Sequence, residues 1–344
     1  MTKPDPAVIA FDIGGATLKA ADGLGWIHSE PFELWRRSGQ LSDRLARILQ
    51  EACPRRVVAT MTGEIADCYP SRQAGVRQII ESLTRAMQAA QLQGSPEFYA
   101  VDGSLVFADE ALARPLAVAA ANWHAVARLA AAFCTTDRAL VIDIGSTTTD
   151  IIAIADRIPL PLASADFARM ASGELVYTGV ERTPLAAIVR SLPLRGSLHP
   201  VASELFAQSQ DVWLLLGGLL ESDCAHPTAD GGPVTRDAAR IRMARMMLAE
   251  PDLVSLEDAL AAAEFCAQSQ SRLLARCLTR VVREIGWQPT CLVISGHGEC
   301  LARKAIEHFG SNGEIVSLPN QLGRNLSRVA PAHALALIAR GLLA

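Results

Sequence analysis

The sequence predicts an α/β protein of two similar domains facing each other across a cleft. Two stretches carry that prediction. In the first, the apolar run Ala139–Ile142 leads into Asp143, a Gly-Ser-Thr-Thr-Thr turn, Asp150 and a second apolar run, Ile151–Ala155. Short β-branched runs on either side of a Gly/Ser/Thr cluster read as strand, turn, strand. Near the N-terminus the pattern recurs, with Val8–Phe11, Asp12-Ile13-Gly14-Gly15-Ala16-Thr17-Leu18-Lys19 and Ala20-Ala21. Asp12 falls on Asp143, Gly14 on Gly145 and Thr17 on Thr148. Lys19 falls on Asp150, so one copy offers a cation where the other offers an anion. A single such hairpin is ordinary, but two with Asp at the same distance before Gly point to duplication.

Each tip presents backbone N–H groups and hydroxyls beside carboxylates, an inventory that suits a phosphate chain carried by a divalent cation. Gly14, Gly15, Ala16 and Thr17 are candidate phosphate ligands in the first copy, and Gly145, Ser146, Thr147 and Thr148 in the second. A third stretch adds Gly296, His297 and Gly298. There the buried-type strand Cys291–Ser295 enters a Gly-rich turn and then a helical pattern at Leu301, Ala302, Ala305, Ile306 and Phe309. A helix N-terminus at that point would add free N–H groups and a favourable dipole toward an anion. A Walker loop is excluded, because G-x-x-x-x-G-K-[ST] is absent and a strand follows the turn.

The three motifs in this order resemble the superfamily of acetate and sugar kinases, actin and heat-shock cognate ATPases. That resemblance implies duplicated ribonuclease H-like domains around a central cleft, over residues 1–135 and 136–344, with a helical insertion at about 180–285 of the second.

At 344 residues the chain is long enough for two cores. A net charge of −4 provides no basic footprint for nucleic acid, and the arginines are scattered along helical faces. The N-terminus, Met1–Pro6, lacks the layout of a signal peptide. The most apolar stretch, Val212–Leu220, is too short to span a bilayer. The eight cysteines form no C-x-x-C pair and sit mostly in apolar segments, as reduced core thiols of a cytoplasmic protein would. Oligomeric state leaves no mark on the sequence.

Taken in order, Gly25–Ser29 reads as a third strand and Leu41–Cys53 as a helix. Val57–Met61 is a buried strand whose carboxyl end should face the cleft, which makes Glu64 and Asp67 site candidates; helix N-terminal acids would look the same. Gln73–Leu92 reads as a helix, and Phe98–Val101 and Leu105–Phe107 as short strands. The Ala-rich helix Pro115–Phe133 would connect the domains, with Trp123 and His124 as packing residues. A helix opens at Pro184. Helical patterns follow over 201–208, 235–249 and 256–285, the last long enough to bend or break. The loop Glu221–Pro233 holds Asp223, Cys224, His226 and Asp230, whose spacing is not that of a zinc site. Glu314–Leu318 is a last strand and Ala332–Leu343 a terminal helix.

Four strings sharpen the reading: Ala59-Thr-Met-Thr-Gly-Glu-Ile-Ala-Asp67, Asp143-Ile-Gly-Ser-Thr-Thr-Thr-Asp-Ile-Ile152, Gly173-Glu-Leu-Val-Tyr-Thr-Gly179 and Arg182-Thr-Pro184. With Asp12-Ile-Gly-Gly-Ala16 and Thr228-Ala-Asp-Gly231 ahead of Thr235-Arg236, they resemble a family of hydantoinase/oxoprolinase-related proteins. That family is linked to tetrahydromethanopterin one-carbon transfer, and its archaeal members join an aminomethylfuran to glutamyltyramine in methanofuran biosynthesis.

The resemblance implies alkyl transfer from an (aminomethylfuranyl)methyl diphosphate to a phenol oxygen of a glutamyltyramine- or tyrosine-type acceptor, with pyrophosphate leaving. The departing diphosphate would need neutralising by the tips, Lys19 and Mg²⁺ held through Asp12, Asp143 or Asp150, with Asp12 and Asp143 as the metal candidates. The phenol, with an ordinary pKa of about 10, would need a base or a hydrogen-bond acceptor to attack. Asp150 and Glu174 are the candidates for that role, alongside Asp143 in the catalytic set. Glu64, Tyr177, Thr178, Asp230 and Arg236 are candidate substrate contacts. Two alternatives share the same cleft: an ATP-dependent kinase or hydrolase, and a non-catalytic nucleotide-binding regulator. His297, standing where an adenine or ribose would pass, favours a smaller ligand.

Overall fold

The computed structural model describes residue 5, residues 7–222 and residues 228–343. Met1–Pro4 and Pro6 of the N-terminal segment, and Asp223, Cys224 and His226 of the long loop, lie outside the described residues. The first sheet contains β1 (Ile9–Ile13), β2 (Thr17–Ala21), β3 (Ile27–Pro31), β4 (Val57–Met61), β5 (Glu97–Tyr99) and β6 (Leu105–Phe107), in the order β3-β2-β1-β4-β5-β6. After it come β7 (Arg138–Ile144), β8 (Thr149–Ala155), β9 (Ile158–Pro159), β10 (Leu175–Val176), β11 (Ser191–Leu194), β12 (Ser197–Pro200), β13 (Cys291–Gly296) and β14 (Glu314–Ser317). The second sheet runs β10-β8-β7-β13-β14, with β9 paired to β8.

The two sheets repeat each other strand for strand. In each, two antiparallel pairings, β1 with β2 with β3 or β7 with β8 with β10, precede two parallel ones, β1 with β4 with β5 or β7 with β13 with β14. That repeat is the duplicated actin-like, ribonuclease H-like architecture. Strands β1, β4 and β13 are buried at every residue, which is why they read as unbroken apolar runs rather than alternating ones.

The expected connecting helix divides into Pro115–Val118 and Asn122–Ala131, broken at Ala120, whose φ of +48° lies in the left-handed region. The longer piece lies between the sheets. Ala125, Val126 and Leu129 pack with β1 and β4 residues, while Trp123, Ala127, Ala130 and Ala131 pack with β7 and β13 residues. Two apolar stripes on one helix, each with helical spacing, explain its alanine content. His124 is satisfied by the Tyr99 hydroxyl at 2.8 Å, and burial lowers its pKa to about 4. The terminal helix Ala330–Ala339, expected in the second half, packs instead on the first sheet beside Ala10 and Val58.

Other differences are local. Residues 201–208 form no helix, and a helix at Ser209–Leu215 follows them. Leu256–Ile285 is one helix of 30 residues, started by the Ser255–Asp258 capping box and ended by left-handed Gly286. β11 and β12 form a hairpin turned by Arg195 and Gly196, both at positive φ, a primed turn the sequence reading missed. Of the seven described cysteines, all free, Cys134, Cys266 and Cys291 are buried, but Cys53 and Cys68 are exposed. No helix among the described residues is long and apolar enough to cross a membrane.

Candidate functional site

Both hairpin tips line one cleft of about 510 Å³ between the sheets. Strand register aims the charged residues into it. Asp12 stands opposite Lys19 on the β1–β2 pair, and Asp143 opposite Asp150 on the β7–β8 pair. Lys19 Nζ lies 3.3 Å from Asp12 Oδ2, whereas Asp12 Oδ1 is buried with no partner. Burial pushes Asp143 up to about 6, and the facing Asp150 carboxylate adds to the rise. Burial raises Asp150 as well, against the opposing pull of Arg169. Arg169 Nη1 holds Asp150 Oδ1 at 2.9 Å, and its guanidinium stacks over Trp123 at 4.0 Å.

The tips are built alike. Each closes by the same turn, Gly14 N–H donating to Thr17 O at 3.1 Å and Gly145 N–H to Thr148 O at 3.0 Å. In each, a downstream segment then ties back the outward carbonyls. Phe32 N–H donates to Ala16 O, and Leu34 N–H to Gly15 O. On the second tip Val180 N–H donates to Gly145 O, and the Glu181 and Arg182 N–H groups both donate to Ser146 O. The N–H groups of Gly15, Ala16, Ser146 and Thr147 engage no acceptor among the described residues. Four free amides on two mirrored tips around one cleft are the kind of donor set that could receive an anion.

The cleft also gathers Gly296 and His297 from the third motif, and Tyr177, as the sequence suggested. It adds Trp35, Asn122, Arg182 and Arg328, which local pattern did not single out as site residues. Arg182 stacks over Trp35 at 5.1 Å, joining the two halves above the cradle. Behind Gly296 and His297 opens a second cavity of about 860 Å³, which shares Ser146, Arg182 and Arg328 with the cleft. At the neck, Ser146 Oγ donates to Glu181 Oε2 at 2.8 Å. Glu181 Oε1 meets His297 Nε2 at 3.3 Å and Arg328 Nη2 at 3.2 Å. Burial alone would raise Glu181, but His297, Arg328 and Ser146 outweigh it and hold the carboxyl at about 2.

Several expected site residues do other work. Glu174 accepts from the Leu162 and Ala163 N–H groups and the Ser172 hydroxyl, so its carboxylate pins the loop before the helix Asp166–Ser172 and is not a base in the cleft. Thr178 is buried in a network with Thr183 and Gln270. Asp230 pairs with Arg242 and Arg245, and Arg236 caps Leu215 O at 2.8 Å; neither lines the cleft. Gly298 acts by being small: a Cβ there would meet Ile144 Cγ2 at 2.3 Å.

Glu64 is buried just behind the cleft, with neither carboxylate oxygen hydrogen-bonded and the Arg72 guanidinium 3.8 Å away. Burial pushes it from an ordinary 4.5 to about 7. The folded chain therefore keeps a proton that the unfolded chain releases between pH 4.5 and about 7. Stability should fall as pH rises through that window, and Glu64→Gln should flatten the fall when urea midpoints are compared at pH 5 and pH 8. A Gln variant that keeps the wild-type slope would place the titration elsewhere.

Asp12 and Asp143 suit Mg²⁺, since a buried unpartnered carboxylate oxygen and a carboxylate strained by a like charge both gain from a cation. No cluster of three or more His, Cys, Asp or Glu that could hold a metal ion occurs among the described residues.

The chain is similar to several known proteins. A Methanocaldococcus jannaschii protein, "(4-{4-[2-(gamma-L-glutamylamino)ethyl]phenoxymethyl}furan-2-yl)methanamine synthase", is 29% identical over 333 residues, covering 96% of each chain. A Methanococcus vannielii protein of the same name is 27% identical over 201 residues, 58% of this chain and 89% of its own. Among solved structures, an inorganic polyphosphate/ATP-glucomannokinase from an Arthrobacter species overlaps 97% of this chain and 100% of its own, at 14% identity and a TM-score of 0.44. The hydantoinase/oxoprolinase family matches residues 55–338, from β4 to the terminal helix, and so takes in the second tip, its brace and the third motif. On that match the chain belongs to the hydantoinase/oxoprolinase family.

Proposed function

We propose that this protein is an alkyltransferase of methanofuran-type cofactor synthesis, supporting tetrahydromethanopterin-linked one-carbon transfer. It would join an (aminomethylfuranyl)methyl diphosphate to the phenol oxygen of a glutamyltyramine- or tyrosine-type acceptor. The observation that carries the reading is the pair of mirrored tips that line one cleft with four amides engaged by no protein acceptor among the described residues; the similarity over 96% of the chain to a synthase of a furan–phenol ether suggests the chemistry.

The carbon–oxygen bond to the diphosphate breaks with its electron pair going to the leaving oxygen, and the phenol oxygen bonds to the freed methylene. The tips, Lys19, Arg182 and Arg328 line the cleft, and on this reading they take up the charge that develops on the diphosphate. Mg²⁺ between Asp12 and Asp143 would supply further charge neutralisation when bound. Asp150 lines the cleft with Oδ2 free of hydrogen bonds to the described protein, while Arg169 fixes Oδ1. It is our choice as acceptor of the phenol proton. Trp35 and Tyr177 give the furan and phenol rings flat apolar partners.

The test is incubation with the furanylmethyl diphosphate, a tyramine derivative and Mg²⁺, followed by assay of pyrophosphate and ether product. Stoichiometric release of both is expected. The second cavity favours one other reading, an ATP-dependent kinase or hydrolase of the same fold. ATP turnover without pyrophosphate release from the furan would establish that reading instead.

A further inference from the structure

The larger cavity begins where a bound diphosphate would end. Ser146 belongs to the second tip and lines both cavities, and its hydroxyl is bonded to the Glu181 carboxylate at 2.8 Å. An anionic side chain thus stands one hydrogen bond from the phosphate cradle, in the lining of the second cavity beside the residues that the two cavities share. Such a charge repels a third phosphate and attracts a cation. Resting on the alkyltransferase reading, we infer that Glu181 sets donor specificity, pairing with the primary ammonium carried by the furan and turning away triphosphates.

The neck is arranged for that exchange. Of the three groups that hold Glu181, Ser146 is fixed in the tip, and His297 is fixed by its backbone N–H to Ile144 O at 3.1 Å. Arg328 is different: its side chain is 49% exposed and lines both cavities, so it can turn from Glu181 to the diphosphate as the donor binds. Once it does, Glu181 keeps only Ser146 and His297 as partners. An ammonium on the donor restores the pair, whereas the anionic tail of ATP would face the bare carboxylate. Neither Glu221 nor Glu299 takes this place, since Glu299 is already held by Arg303 at 2.6 Å and by Ser317, and Glu221 accepts from the Arg236 N–H at 2.7 Å.

The inference is tested by calorimetry with Mg²⁺ and no acceptor, comparing the aminomethyl donor with the same furanylmethyl diphosphate lacking the amine. Wild type should bind the aminated donor about tenfold tighter or more, the scale of one charge-assisted hydrogen bond. In Glu181→Gln the ratio should fall to about 1, and tripolyphosphate should gain affinity relative to pyrophosphate. Retained pyrophosphate affinity reports intact tips in the variant. A wild-type ratio near 1 overturns the inference without need of any variant, as does a Gln variant that keeps the wild-type ratio. If wild type releases pyrophosphate from neither donor, the alkyltransferase reading falls, and the binding ratio still decides the role of Glu181.

Discussion

Asp143→Asn should lower the rate of pyrophosphate release by about a thousandfold or more, because it removes a carboxylate from the cation and proton chemistry of the cleft. The fold should survive. Asp143 is buried, its pKa is pushed up to about 6, and it faces Asp150, so at neutral pH its charge is held at a cost. A neutral, nearly isosteric amide relieves that cost, and the melting temperature should stay level or rise. The same substitution at Asp150 should behave differently, since its buried ion pair with Arg169 would be broken and the guanidinium left uncompensated. Wild-type turnover in Asp143→Asn would remove Asp143 from the reaction.

Gly179→Ala should be nearly as damaging, by a purely structural route. A Cβ at residue 179 would lie 2.5 Å from Gly145 O and from Ser146 C, and both are backbone atoms of the second tip that cannot swing aside. The tip or its brace must move, and with it the Val180, Glu181 and Arg182 N–H bonds that orient the free amides. We expect pyrophosphate affinity to drop by roughly ten- to a hundredfold, with a stability loss of about 1–3 kcal/mol. Unchanged affinity measured by calorimetry would mean that the brace does not shape the cradle.

The hairpins were legible because their signals are local: β-branched runs, an Asp two residues before a Gly, and a Ser/Thr turn. The parallel strands β4, β7 and β13 were legible for the same reason, as short apolar runs ending in Gly. What the residues alone did not disclose is how the motif strings divide their labour. Gly173–Gly179 looks like a substrate loop, yet Glu174 and Thr178 turn inward to hold neighbouring backbone and side chains, and Gly179 lets the segment after β10 lie against the tip. Only Tyr177 of that string lines the cleft. Arg328 and Trp35 lie far from any motif, and folding alone brings them beside Glu181 and Arg182. The terminal helix is apolar on most faces, so its pattern identifies a buried helix but not the sheet that covers it.

The central claim is that two mirrored tips grip one diphosphate, and a crystal grown with Mg²⁺ and pyrophosphate tests it most directly. The account predicts both phosphates within hydrogen-bonding distance of the Gly15, Ala16, Ser146 and Thr147 amides, with the cation against Asp12 and Asp143. Pyrophosphate seated on one tip alone, or outside the cleft, would contradict it.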